Sequence, residues 1–297
     1  METENQNKKL IGIVADEAVD LPDSIVQENE ISLVKFKLDF EELKDVPGNV
    51  YEKMREGERR GLKTIAKTSQ PSINDFLGAY REKLKRFEEI ICFTISGKLS
   101  GTFNSALQAT KFLPKEAQDK IHLVDTLNAT GGEGLVALWA ADMIKEAKLK
   151  AGEIAETIRK NVSNFKLIGI YGTPKWLEAS GRLPKFLPAP LRQAEKMNLK
   201  PIFALKNGKI TFISIRKNLN GIANTLFQEF EKQTLAARNQ GKKIRAAITH
   251  GDNPAGAEEL KNLVSSLENV KVEFISLACF PIGGHVGPES LVLSWQQ

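Results

Sequence analysis

Two short stretches of this chain carry the residue types that hold an anion. Lys67-Thr68-Ser69-Gln70-Pro71-Ser72 and, further along, Ile95-Ser96-Gly97-Lys98-Leu99-Ser100-Gly101-Thr102 each set small hydroxyl residues or glycine where a loop turns into a helix. A helix start leaves backbone N–H groups without partners and a partial positive charge, so it attracts a carboxylate or phosphate. Two such cradles in one chain point to a shared pocket for an acidic group.

The remaining candidates sort by their surroundings. His285 lies in Pro281-Ile282-Gly283-Gly284-His285-Val286-Gly287-Pro288, framed by residues of special backbone. Glycine lets the chain approach a ligand closely, and core packing gives no evident reason for so many, so His285 is read as a ligand contact. His122 opens an apolar run and reads as structural. His250 precedes Asp252 and Asn253, which are placed to cap a helix. Ser100 can cap a helix and touch a ligand at once. Gly97-Lys98-Leu99-Ser100-Gly101 holds one residue too many before its serine to be a Gly-x-Ser-x-Gly elbow. A Ser100–His285 pair serving acyl transfer or ester hydrolysis is the alternative chemistry. Asp125-Thr126 and Asn128-Ala129-Thr130-Gly131-Gly132-Glu133-Gly134 offer further turning and inward amides, but match neither dinucleotide nor Walker patterns. Arg182 and Arg216 are expected at the surface, where two guanidinium groups near one rim suit an acidic or phosphate-bearing partner.

The elements that must position these residues follow from periodicity. Leu10 to Ala15 is a continuous apolar run, the mark of a strand covered on both faces. Ile31 to Phe36, Glu89 to Ile95 and Ile121 to Val124 read as further strands. Helical patterns cover Val50 to Arg60, Ile73 to Arg86, Thr102 to Phe112 and Gly132 to Ala147, with Ser72 and Asp75 forming a capping box. This alternation predicts a three-layer α/β/α domain on a mostly parallel sheet, with ligands at the carboxyl ends of its strands.

The second half is patterned differently. Leu167 to Tyr171 reads as a strand, followed by short helices broken at Pro184, Pro188 and Pro190. Asn207-Gly208 between two β-rich runs, Pro201 to Lys206 and Lys209 to Ser214, is a hairpin signal. Helices over Leu219 to Asn239 and Pro254 to Leu267 alternate with strands Ile244 to Thr249 and Val270 to Ser276, and Ser290 to Trp295 closes the pattern. A second, two-layer α/β domain with a mixed sheet is expected. The reading divides the chain into 1–165 and 166–297.

Composition excludes several classes. Of 297 residues, 42 are basic and 37 acidic, and the charges are intermixed, so nucleic acid is not an expected partner. No apolar run approaches the roughly 18 residues of a membrane span. The polar first residues lack the apolar centre of a signal peptide, and a cytoplasmic location is expected. Cys92 and Cys279 sit in apolar runs and read as buried, reduced thiols, with no zinc site.

Taken in order, the motifs resemble the DegV family of bacterial fatty-acid-binding proteins over nearly the whole chain. Asp16-Glu17-Ala18-Val19-Asp20-Leu21-Pro22 is similar to its opening Asp-Ser-x-x-Asp-Leu-Pro, and Thr68-Ser69-Gln70-Pro71-Ser72 is its motif unchanged. Ser96 to Thr102, Asp125-Thr126 with Gly132-x-Gly134, Gly181-Arg182 and His285-x-Gly287-Pro288 follow in the family's order. The resemblance implies a DegV-like pair of domains and a long-chain fatty acid (palmitate, stearate or oleate) as ligand, with no other cofactor. It places the carboxylate at Thr68, Ser69, Ser100, Gly101, Thr102 and His285, with Ser96 as a further candidate. It also implies a binding protein and not an enzyme, which presents its acid to a separate ATP-dependent kinase for phospholipid synthesis, with Arg182 and Arg216 helping that kinase dock. Glu17, Ala18, Gly97, Pro184 and Glu289 depart from the family pattern. A Glu17 carboxylate near an anion site must point away or be protonated.

Overall fold

The computed structural model describes residues 9–39, 41–62, 67–171, 176, 181–182, 199–217 and 220–297. In its first part, strands β1 (Lys9–Asp16), β2 (Ser32–Val34), β3 (Lys37–Asp39), β4 (Lys67–Ser69), β5 (Phe87–Thr94) and β6 (Ile121–Asp125) alternate with helices. These are α1 (Asp23–Glu28), α2 (Val50–Arg59), α3 (Ile73–Arg86), α4 (Thr102–Thr110), α5 (Lys115–Gln118), α6 (Thr130–Lys145) and α7 (Ala151–Asn161). Four strands pair in parallel in the order β2-β1-β5-β6.

Strand alternation builds two apolar layers from one sheet. Val14, Ile90 and Cys92 point to the side of Phe76 and Tyr80 of α3 and Ala106 of α4. Ile13, Ala15, Ile91 and Phe93 point oppositely, toward Leu135 of α6 and Ile154 of α7. The expected three layers are therefore present.

The later strands are β7 (Phe165–Ile170), β8 (Leu199–Lys206), β9 (Lys209–Lys217), β10 (Ile244–Gly251), β11 (Val270–Leu277) and β12 (Ser290–Gln296). They form a separate mixed sheet in the order β11-β10-β12-β7-β8-β9, in which only β10 and β11 run parallel. Asn207 and Gly208, at φ 50° and 77°, make the β8–β9 hairpin turn. Helices α8 (Gly221–Asn239) and α9 (Pro254–Ser265) cover one face over Ile168, Ile170, Leu291 and Leu293. A short helix, α10 (Phe280–Val286), precedes the last strand. The opposite face of this sheet packs on α6, which also contacts β1 and β5 of the parallel sheet.

Several elements differ from expectation. Helix α7 was not foreseen, although Ala151, Ile154, Ala155 and Ile158 are buried at helical spacing. The run Ile31 to Phe36 makes one strand, the shorter β2 of the main sheet, while β3, which begins just after it at Lys37, was not expected and pairs with β4 in a separate two-stranded ladder. The glycines of 131–134, read as a tight turn with inward amides, lie instead in the first turns of α6. A side chain at Gly131 would press on Ala247 and Thr249 of the second sheet, so these glycines serve close packing. The helices expected around Pro184, Pro188 and Pro190 lie outside the described residues. Among the described residues no helix is long and apolar enough to cross a membrane.

Candidate functional site

The site is assembled where the carboxyl end of the parallel sheet meets the inner face of the mixed one. In β4 successive side chains alternate, which turns Thr68 inward and leaves Lys67 and Ser69 exposed. Gln70 then reaches across to α4, its Nε2 donating to Ser105 Oγ at 2.9 Å. The same side chain lies against Gly101, where any Cβ would collide with it. This contact seats the Thr68–Gln70 segment beside the Ser100–Gly101 turn.

The chain leaving β5 is fixed at Ser96, whose hydroxyl donates to Gly208 O at 2.8 Å and accepts from Lys98 N at 3.2 Å. Leu99 N and Ser100 N both return to Ser96 O. The Ser100 and Thr102 hydroxyls lie 2.8 Å apart at the start of α4. Gly97 donates its N–H to both Asp125 carboxylate oxygens at 3.2 Å.

His285 arrives from the other side, on α10. Its Nε2 is 2.7 Å from Thr68 Oγ1 and 3.0 Å from Arg182 Nη1, while Arg182 Nε donates to Leu99 O at 3.1 Å. A guanidinium can only donate, so Nε2 is the lone-pair nitrogen. Burial first, and then the Arg182 charge, push the His285 pKa down to about 3. Burial also lowers the pKa of Arg182. The imidazole is therefore neutral throughout the physiological range. Replacing Arg182 by alanine removes the neighbouring charge, and the His285 titration followed by NMR should move up from about 3 toward the ordinary 6.5; an unmoved titration would contradict this geometry.

Thr68, Gln70, Ser100, Gly101, Arg182 and His285 form one end of a cavity of about 230 Å³. The rest of its wall is apolar apart from Thr130 and the Tyr171 hydroxyl, and comes from both sheets. Ile95, Leu99 and Ala129 belong to loops of the parallel sheet; Leu167, Tyr171, Leu205 and Val292 belong to strands or strand ends of the mixed one. Ile282 and Val286 of α10 complete it. Such a chamber suits a molecule with one polar end and a hydrocarbon body.

Of the expected site residues, Thr68, Ser100, Gly101 and His285 line this cavity, whereas Ser69, Ser96 and Thr102 do not. Ser69 faces solvent because the strand's period turns it away. Ser96 is buried and bonded to the hairpin turn, and Thr102 is buried behind Ser100. Arg182 was expected at the surface; it is instead half-buried in the cavity wall. Arg216 is exposed on β9, paired with Glu229 at 3.0 Å, and lines no part of the cavity. Gln70, Tyr171 and Thr130 were not named as site residues, though Gln70 sits inside the motif that carries Thr68 and Thr130 inside the glycine-rich stretch 128–134.

The glycines around His285 also have packing causes. Gly283 lies beneath the Tyr51 ring and Gly287 against Trp176, so the sequence expectation that no core reason exists is overturned. The segment carrying His285 is a short helix. Glu17 does not line the cavity and accepts from Phe36 N at 2.7 Å, and Glu289 pairs with Arg55 at 3.0 Å. Asn253 caps α9 as expected, but Asp252 pairs with Arg55 instead. Cys92 is buried and Cys279 only half-buried; both thiols are free.

Behind the site three acids are buried. Asp16 accepts from Ala18 N and Ile95 N, and Asp20 accepts from Cys279 N at 2.7 Å, fastening the start of α10 to the turn that follows β1. Burial pushes Asp16 up to about 7 and Asp20 up to about 8. Glu133, on the first turn of α6, makes no hydrogen bond with either oxygen.

The model of the DegV family, described as an uncharacterised protein family, matches residues 10–297. A fatty acid-binding protein of Thermotoga maritima is 28% identical over 290 residues, with 94% of each chain covered. A DegV family protein of Thermus thermophilus, whose solved structure is described by its fatty acid binding, is 25% identical with a TM-score of 0.79, covering 97% of this chain and 99% of that one. A stearic acid-binding protein of Eubacterium ventriosum shares the fold at 22% identity and a TM-score of 0.81, covering 97% and 98%.

Proposed function

This chain belongs to the DegV family, and from that premise we propose that it binds one long-chain fatty acid. The carboxylate sits among Thr68, Ser100, Gly101, Arg182 and His285, and the tail fills the cavity between the sheets. The observation that carries the reading is the cavity itself, greasy along its length and ringed at one end by hydrogen-bond donors.

The physics favours such a ligand. Each buried methylene contributes about 0.8 kcal/mol, so a sixteen-carbon chain supplies on the order of 10 kcal/mol before the costs of association. The Ser100 hydroxyl and the Arg182 guanidinium, joined by the Thr68 hydroxyl as it turns from His285 Nε2 to the ligand, then replace the water lost by the carboxylate. We extend the proposal to a carrier role, in which the protein catalyses nothing alone and presents the acid to a separate ATP-dependent kinase. An acyl transferase or esterase using Ser100 and His285 is disfavoured: the His285 lone pair is already shared by Thr68 and Arg182, and a base that weak accepts few protons at neutral pH.

Lipid extraction from protein made in a bacterial host, followed by mass spectrometry, should yield a C16 or C18 acid in near-stoichiometric amount. Delipidated protein should take up palmitate or oleate, and Thr68→Val should weaken that uptake roughly 10- to 100-fold, the range for a hydrogen bond to a charged group. ATP should convert none of the bound acid until a kinase subunit is added. Protein that is empty as isolated and binds neither acid would refute the proposal.

A further inference from the structure

The register of the mixed sheet joins the cavity to a neighbour. β7 and β8 are antiparallel with Ile168 opposite Ala204 and Gly169 opposite Phe203. Carried one residue further, that register sets Leu167 across from Leu205. Ile168 and Ile170 point into the core under α8 and α9. Strand alternation therefore turns Phe165, Leu167 and Tyr171 to the opposite face, the one toward the cavity.

Along that face Tyr171 and Leu167 line the cavity already described, while Leu167 and Phe165 line a second one of about 480 Å³. Leu205 likewise borders both. Among the described residues, this leucine pair alone is common to the two linings. We propose that Leu167 and Leu205 form a gate, and that the second chamber receives the methyl end of acyl chains too long for the first.

The inference rests on the fatty-acid reading and adds a determinant of chain length to it. Three features support the assignment. The gate is made of leucines, whose staggered rotamers exchange at small cost. Next to it the second chamber offers Leu127, Val162, Phe165 and Ile213, an apolar collar for the terminal carbons. The same lining holds the exposed Lys166, Lys206 and Gln233 and the buried Glu229, polar side chains against which further methylenes gain little. The carboxylate end and the chamber lie at opposite sides of the gate, so a chain held at Thr68 enters methyl first.

Competition binding of saturated C14 to C22 acids to the delipidated full-length protein tests this. One buried methylene is worth about fourfold in affinity, so excluding two or three carbons changes a ratio by more than tenfold. The wild-type protein should bind C20 at least as tightly as C16. Val162→Phe fills the second chamber and should lower the C20-to-C16 affinity ratio at least tenfold. Leu205→Ala opens the gate and should raise the C22-to-C16 ratio. Circular dichroism and thermal unfolding confirm that each variant folds; if Val162→Phe does not, Ile213→Phe makes the same test. If C16 binds but neither ratio moves, the gate is overturned and the fatty-acid reading stands. If no acid of any length binds the wild-type protein, the underlying reading fails instead.

Discussion

Glu133→Gln should stabilise the fold by a margin that widens as pH rises above 4.5, at up to about 1.4 kcal/mol per unit for as long as the folded side chain keeps its proton. The Glu133 side chain is fully buried and both its oxygens lack a hydrogen-bond partner. Burial, reinforced by Asp16, Asp20 and Asp125, raises its pKa well above the ordinary carboxylate range. In the unfolded chain the same group ionises near 4.5. Between those two values the folded protein holds a proton that the unfolded chain has released, so stability is greatest below the unfolded pKa and declines as pH rises. Glutamine has the same shape and no proton to lose, which removes the slope. Urea unfolding of both proteins at pH 5, 6, 7 and 8 measures it. Parallel stability profiles would show that Glu133 is not buried as a neutral acid. Asp16 and Asp20, raised to about 7 and 8, add the same sign in both proteins and cancel in the difference.

Gly287→Ala should cost at least about 3 kcal/mol and abolish ligand binding with it. Gly287 has φ 77° and ψ 170°, a backbone region essentially closed to residues with a Cβ, and the Trp176 ring occupies the place a methyl would take. The strain falls two residues after His285, so relaxing it shifts the imidazole away from Thr68. Gly241→Ala is the matched control: φ is 71° there, but nothing lies within 4 Å of the added carbon. It should cost only about 1 kcal/mol, the backbone penalty alone. Equal losses in the two variants, read from chemical denaturation, would show that the packing against Trp176 carries no weight.

Much of the scaffold was legible because it obeys local rules. The run Leu10 to Ala15, the helix opening at the Ser72–Asp75 capping box and the Asn207-Gly208 turn each announce themselves within a few residues. The site was legible in part. Thr68, Ser100 and His285 were recognisable as types, but their companions depend on contacts across the chain. Whether Thr68 or Ser69 faces inward is decided by β4 pairing with β3, and Lys-Thr-Ser has no strand signature of its own. Ser96 looks like an anion ligand until Gly208, far along the sequence, takes its hydroxyl. Gly283 and Gly287 look like room for a ligand until Tyr51 and Trp176 are seen to press on them. Arg182 looked like surface charge because nothing near it in sequence foretells Leu99 O and His285. What the sequence hid was pairing at long range.

One wall of the cavity descends from the parallel sheet and the other from the mixed sheet. A hydrocarbon tail lying there acts as mortar between two courses of brick. Prising either half loose would bare the tail as well as the walls to water, and that added penalty falls on partial opening no less than on complete unfolding. Cargo and architecture thus share one seam, so a laden molecule is a stiffer object than a vacant one.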